Sequence, residues 1–262
     1  MGSGKRQLEK YTVIKMIRYK LKIEYEGSDF VGWQKQDNGL AVQEVVEKAI
    51  EMYSQNPVSV QGAGRTDAGV HAFGQVAHVD IPRNDDEHTV RNAINAYLKD
   101  YSVVILDVEK VNSSFHARFG ACERIYKYLI NTRKVPLTLD RNRYWWLPRN
   151  INIEDMRHAS QFLIGKHDFT SFRSSSCQSN SPIKTLNEIK VSEESNRIEF
   201  QIRAPSFLHN QVRNIVGSLT MVGIGKWKSD YIREVLDARD RTKAGVTAPA
   251  CGLYLMSVKY SN

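Results

Sequence analysis

The 262 residues are 41% apolar and 10% aromatic, which excludes a disordered chain and is enough to bury a core as one large domain or two smaller ones. No apolar run is long enough to cross a bilayer and the charged opening MGSGKRQLEK lacks an apolar leader, so membrane anchoring and export find no support and a cytoplasmic location is expected. The net charge of +8 leans toward a polyanionic partner; four bases (Lys5, Arg6, Lys10, Lys15) against Glu9 put +3 of it in residues 1–15, read as a tag or disordered extension, and leave +5 for the body.

From Arg18 the stretch RYKLKIEYEG alternates, with Tyr19, Leu21, Ile23 and Tyr25 on one face, and predicts a half-buried strand. After the loop GSDFVGWQKQDNG, Val42, Val45, Val46, Ala49, Ile50 and Tyr53 recur at helical spacing and predict an amphipathic helix. PVSVQ reads as a short strand leading into a glycine-rich loop, and GQVAHVDI as the next strand. Residues 89–99 form a second helical pattern, burying Val90, Ala93, Ile94, Tyr97 and Leu98, and VVILDVEKV and RIYKYLIN close the first half as strands.

The second half begins after KVPLTLDRNRYWWLPRN. Asn152 reads as the N-cap of a helix that buries Met156, Ala159, Phe162 and Leu163. The polar loop RSSSCQSNSP leads to strands at LNEIKVSE and RIEFQIRAP, joined by EESN. LHNQVRNIVGSLTMVG predicts a long, largely apolar helix in the centre of its half; a shorter helix starts near Ser229, and GLYLMSVKY ends the chain as a strand. Each half is thus strand, helix and strands, an α+β arrangement with mostly antiparallel sheets.

Residues 62–72, GAGRTDAGVHA, concentrate three glycines around one acid and suggest a backbone that needs positive φ or close approach. The seven histidines show no metal-ligand spacing, and Asp85, Asp86 and Glu87 suit a helix start, so no metal site is expected. GAGRTDAG fits neither a phosphate-binding loop nor a dinucleotide fingerprint; no nucleophilic Ser motif is present, and Cys122, Cys177 and Cys251 read as three reduced thiols. What remains is Asp67, two residues after Arg65. An arginine beside a partly buried carboxylate favours its ionised form, which suits a nucleophile or a base, but such a pair serves structure as readily, and spacing leaves both readings open.

The pieces YEGSDFVGWQKQ, GRTDAGVHAFGQVAH, FHARFGACERIYKY, DFTSFRSSSCQS, FLHNQVRNIVGSL and CGLYLMSVKY, in this order and set at intervals between Tyr19 and Tyr260, resemble the TruA family of tRNA pseudouridine synthases. The resemblance implies a pseudouridine synthase fold of two α+β subdomains, residues 16–134 with the Asp loop and residues 135–262, whose sheets join around a central catalytic cleft. It implies no cofactor and a homodimer that clasps tRNA. The implied reaction turns uridine into pseudouridine at positions 38 to 40 of the anticodon arm, detaching the base at N1–C1′ and rejoining it through C5.

Carried over by position, Asp67 is the essential aspartate, positioned by Arg65 and Thr66. Tyr126 packs against the target base, Arg213 pairs with the aspartate, and Leu253 floors the pocket. Arg65, Arg118 and Arg124 are expected to hold RNA backbone near the cleft. A single acid suits a glycosidic cleavage without water, whereas hydrolytic glycosidases usually employ two. Tyr126 and Leu253 also fit plain strand packing, but a charge in a helix as apolar as that around Arg213 is costly unless paired, and Asp67 is the obvious partner. Ala41, Gln211 and Cys251 depart from the family pattern; of these only Cys251 is placed to alter the pocket edge. Two other readings are an RNA-binding protein or tRNA chaperone without catalysis, against which Asp67, Tyr126 and Arg213 stand intact, and a nucleoside or glycoside hydrolase, for which no paired acid emerges.

Overall fold

A computed structural model describes residues 15–261; the tag reading of residues 1–15 falls, Lys15 apart, outside the described residues. In chain order these form β1 (Ile17–Tyr25), α1 (Val42–Ser54), β2 (Gln61–Gly62), β3 (His71–Ile81), α2 (Glu87–Leu98), β4 (Val103–Val111), β5 (Ala121–Asn131) and β6 (Trp145–Trp146). There follow α3 (Ile153–Gln161), β7 (Gly165–Asp168), β8 (Ile183–Leu186), β9 (Glu188–Glu194), β10 (Arg197–Ala204), α4 (Gln211–Gly223), α5 (Tyr231–Ala238) and β11 (Leu253–Tyr260).

The alternation in β1 buries Tyr19, Leu21, Ile23 and Tyr25 in the core, and the strand pairs antiparallel with β3 and β4. α1 and α2 pack on each other, with α2 against β4. The acid run does start α2: the Asp86 carboxylate accepts from the Thr89 N–H at 3.0 Å, satisfying a donor the first turn leaves open.

The main sheet runs β4-β1-β3-β11-β5-β10-β9, with β2 on β3 and β6 on β5. It is the α+β, mostly antiparallel architecture expected, and its centre is the C-terminal strand. β11 lies parallel to β3 through Tyr254↔His71 and Leu255↔Ala72, and antiparallel to β5 along its other edge. The sheet is therefore continuous across both halves. β5, which a boundary at 134/135 assigns to the first half, lies beyond β11 and pairs with β10. Composition marks the Pro- and Trp-containing stretch, but strand pairing is decided by long-range partners that composition does not carry.

Eleven of the thirteen residues of α4 are buried, the exceptions being Arg213 and Met221, so the helix is central as its apolar sequence predicts. It sits so close to residues 244–248 that a Cβ on Gly217 would collide with the Val246 carbonyl. Asn152 caps α3, its side chain accepting from the Asp155 N–H. Two details differ from expectation. Of PVSVQ only Gln61 joins a strand, with Gly62. Around the serine-rich loop, β7 and β8 form a separate two-stranded sheet whose polar KHD and KTL segments show no alternation to read.

Candidate active site

Residues 63–70 connect β2 to β3 and are fastened from several sides. The Trp33 N–H donates to the Thr66 carbonyl at 3.1 Å, the Gly69 N–H to the Phe30 carbonyl at 3.4 Å, and Gly32 forms a β-bridge with Asp67. The Tyr25 hydroxyl and Thr66 Oγ1 share a buried hydrogen bond of 2.8 Å. Gln75 Nε2 donates to the Gly64 carbonyl and an Arg124 Nη to the Ala63 carbonyl, both at 2.8 Å. Gly69 has φ +76°, and a Cβ on Gly62 would meet the Trp33 indole at 2.5 Å; these two glycines have the reasons expected of them, and Gly64 has neither.

Asp67 rests on this base with its side chain 24% exposed, each oxygen facing a different basic residue. Arg213 Nη1 donates to Oδ2 at 3.1 Å, and His209 Nε2 lies 3.1 Å from Oδ1. Arg213 is itself fixed by donating to the Ala248 carbonyl at 2.7 Å and to Asn210 Oδ1 at 3.0 Å. The pairing expected from a charge in an apolar helix is present, and the cation projects from the first turn of α4. Arg65 behaves differently from the expected support of Asp67. It is exposed and points across the mouth, donating to Gln178 Oε1 at 2.9 Å; two residues apart on a strapped loop, the side chains face different ways. Thr66 does secure the loop, through Tyr25.

The carboxylate opens into a cleft of about 1150 Å³, lined also by Tyr126, Leu253, Phe207, Arg118 and the loop at residues 176–179. Its volume exceeds the ~300–1000 Å³ of a usual small-molecule pocket, as a polymeric substrate would require. Tyr126 is buried edge-on to Phe207, ring centres 5.2 Å apart. Burial, with Tyr25 and the Asp67 charge adding to it, pushes the phenol well up, so it stays neutral. Arg118 is exposed at the rim. Arg124 is buried, its two Nη atoms donating to the carbonyls of Ala63, Arg118, Ala121 and Pro205. It also lines the cleft, and these bonds tie the Asp loop to the rim. Cys251 lies outside the cleft lining, its thiol donating to the Tyr144 carbonyl at 3.3 Å.

Sequence reasoning missed two side chains. His209 showed nothing but the absence of metal spacing, and its approach to Asp67 depends on Asn210 turning left-handed, φ +62°, just before α4. His71, within the quoted stretch, is buried and its Nδ1 accepts from the Gly27 N–H at 2.9 Å, which leaves the proton on Nε2 for the Asn142 and Cys251 carbonyls at 2.9 and 3.2 Å. Burial lowers its pKa in support of that neutral form, and it stitches the start of β3 to the turn before Leu253. Among the described residues no three His, Cys, Asp or Glu side chains gather as a metal-binding group.

A family model described as tRNA pseudouridine synthase matches residues 22–120 and 159–261. The chain is 51% identical over 246 residues to tRNA pseudouridine synthase A of Paramagnetospirillum magneticum, spanning 94% of this chain and 96% of that protein. It is 49% identical over 247 residues to the protein of that name from Sinorhizobium fredii, and 50% over 245 residues to the one from Parvibaculum lavamentivorans, each time over 94% of this chain and 100% of the relative.

Proposed function

The chain belongs to the tRNA pseudouridine synthase family, and from that premise we propose that Asp67 is the group that carries its reaction. The protein isomerises uridine to pseudouridine in tRNA. The N1–C1′ bond breaks, the detached base turns, C5 bonds to C1′, and the proton lost from C5 is matched by one gained at N1. The carboxylate acts on the ribose, by adding to C1′ or by removing the C2′ proton. Arg213 and His209 fix its two oxygens. Tyr126 lies against the extruded base and offsets part of the few kcal/mol that unstacking costs. Leu253 floors the pocket and helps exclude the water that would turn isomerisation into hydrolysis. Arg65 guards the mouth, where its bond to Gln178 is exchanged for RNA.

The observation that carries this reading is a lone carboxylate with a basic side chain at each oxygen, on a cleft that also presents Tyr126 and Leu253. The target uridines are those at positions 38 to 40 of the anticodon arm, and the working form is a cytoplasmic homodimer clasping the tRNA; both follow from the resemblance. The test is tritium release from C5-labelled uridine in tRNA. Wild type releases it without freeing uracil, while Asp67→Ala and Asp67→Asn release none and still bind tRNA. Turnover in either variant refutes the role of Asp67, and free uracil refutes isomerisation. Sedimentation with and without tRNA tests the dimer.

A further inference from the structure

At 78% exposure Phe119 is the most exposed aromatic side chain among the described residues. Single exposed apolar side chains are ordinary on mobile loops, but the loop presenting this one is fixed on every side. The His116 ring accepts from the N–H groups of Arg118 and Phe119 at 3.1 and 3.4 Å, and the Gly120 N–H donates to the His116 carbonyl at 2.9 Å. His78 of β3 accepts from the Ala117 N–H, Tyr260 of β11 donates to the Ala117 carbonyl, and Arg124 of β5 donates to the Arg118 carbonyl. Three adjacent strands thus grip Ala117 and Arg118, the two residues that lead into Phe119. Arg124 also grips Ala63, so one buried guanidinium sets the position of Phe119 relative to the loop bearing Asp67.

The ring is backed by His116, centres 4.4 Å apart, and the Arg118 guanidinium lies 5.7 Å from its centre. Arg118 lines the cleft, so the surface continues that of the site. An aromatic on an anchored backbone with a cation beside it recognises a planar group attached to a phosphate, because every base has a π-face and its backbone a negative charge. Resting on the reading of this cleft as the site for tRNA uridine, we infer that Phe119 is a stacking platform for an unstacked base of the tRNA that flanks the target nucleotide. Preorganisation of the platform means little ordering is lost when the base arrives.

The experiment compares wild type with Phe119→Ala, Phe119→Leu and Phe119→Trp, full-length, measuring tRNA affinity over a range of salt, tritium release and oligomeric state. Phe119→Ala and Phe119→Leu are expected to bind tRNA about tenfold more weakly, with an unchanged slope of log affinity against log salt and KM raised more than kcat is lowered. Arg118→Ala, by contrast, reduces that slope. Phe119→Trp keeps wild-type affinity, and its emission, taken as the difference from wild type, is quenched on adding tRNA. The inference is overturned if Phe119→Ala or Phe119→Leu binds as wild type does, if the Trp emission is unchanged by tRNA, or if affinity is lost together with dissociation of the dimer, which would make Phe119 a contact between copies. Wild type that binds tRNA but releases no tritium would sink the proposed reaction instead, with the binding comparison still readable.

Discussion

Glu123 and Asp67 each sit between two basic side chains, and they differ in what is left over. Glu123 on β5 has two partners at each oxygen: Arg203 and Asn187 donate to Oε1, both at 3.2 Å, and Arg203 at 2.9 Å and Lys259 at 3.1 Å reach Oε2. Its side chain is 12% exposed and does not line the cleft that Asp67 faces. A carboxylate has about four acceptor sites, and here all are used. Asp67 has one neighbour per oxygen, from Arg213 and His209, and keeps its remaining capacity toward the cleft. Ion pairing alone marks neither structure nor chemistry; an acid that is held, yet incompletely satisfied beside a cavity, can do work on a third party.

The largest effect expected is on turnover at Asp67. Asp67→Asn loses at least ~10³-fold in tritium release, while its denaturation midpoint shifts by the equivalent of under ~1 kcal/mol, because Arg213 keeps its bonds to Ala248 and Asn210. Should Asp67→Asn prove less stable than Glu123→Gln, the distinction between the two acids is lost. Next comes Arg213→Lys, which keeps a charge but cannot span Asp67, Asn210 and the Ala248 carbonyl with one ammonium. Turnover falls about 10²-fold through misplacement of the carboxylate, seen in kcat rather than KM. A smaller loss follows Thr66→Val, which strips the buried Tyr25 hydroxyl of its bond to Thr66. We expect ~1–3 kcal/mol of destabilisation and about tenfold slower turnover. Tyr25→Phe combined with Thr66→Val costs less than the two separately, since no buried hydroxyl is then stranded.

Much of this contrast was legible in the sequence on one side only. The alternation in β1, the spacing in α1 and the apolar run in α4 set out the elements, because burial periodicity is a local property. The cost of placing Arg213 in such a helix already called for an acid partner. What was not legible depends on how distant backbone segments meet. Nearness in sequence suggests that Arg65 supports Asp67, but the strap from Gly32 and Trp33 fixes which way each side chain leaves the loop. Nothing in the sequence shows that four carbonyls from three stretches of chain converge on Arg124. His209 required the left-handed turn at Asn210. Glu123, inside a stretch that resembles the family, carries no local signal, because its saturation involves Asn187, Arg203 and Lys259 from three other strands or strand ends.

The smallest expected effect on turnover, and the largest on acid stability, belongs to Glu123→Gln. Burial pushes the Glu123 carboxyl up, but the hydrogen bonds from Arg203, Lys259 and Asn187 and the Arg203 charge outweigh it and bring it down from 4.5 to about 2. A folded-state value below the unfolded one means the unfolded chain binds the proton more readily. The stabilisation is therefore complete above about pH 4.5 and drains away as pH falls toward 2, with a slope from this group of up to about 1.4 kcal/mol per pH unit. Glutamine has no proton to take up, so the stability gap between wild type and Glu123→Gln should be widest near pH 7 and close steadily between pH 4.5 and 2.5, read from urea melts at each pH. Tritium release at pH 7 should stay within about twofold of wild type, since Glu123 faces the sheet rather than the cleft and its loss is felt as stability. A gap that stays constant across that window would mean that Glu123 is no better held than an ordinary surface acid, and the contrast with Asp67 would then have to rest on the cleft alone.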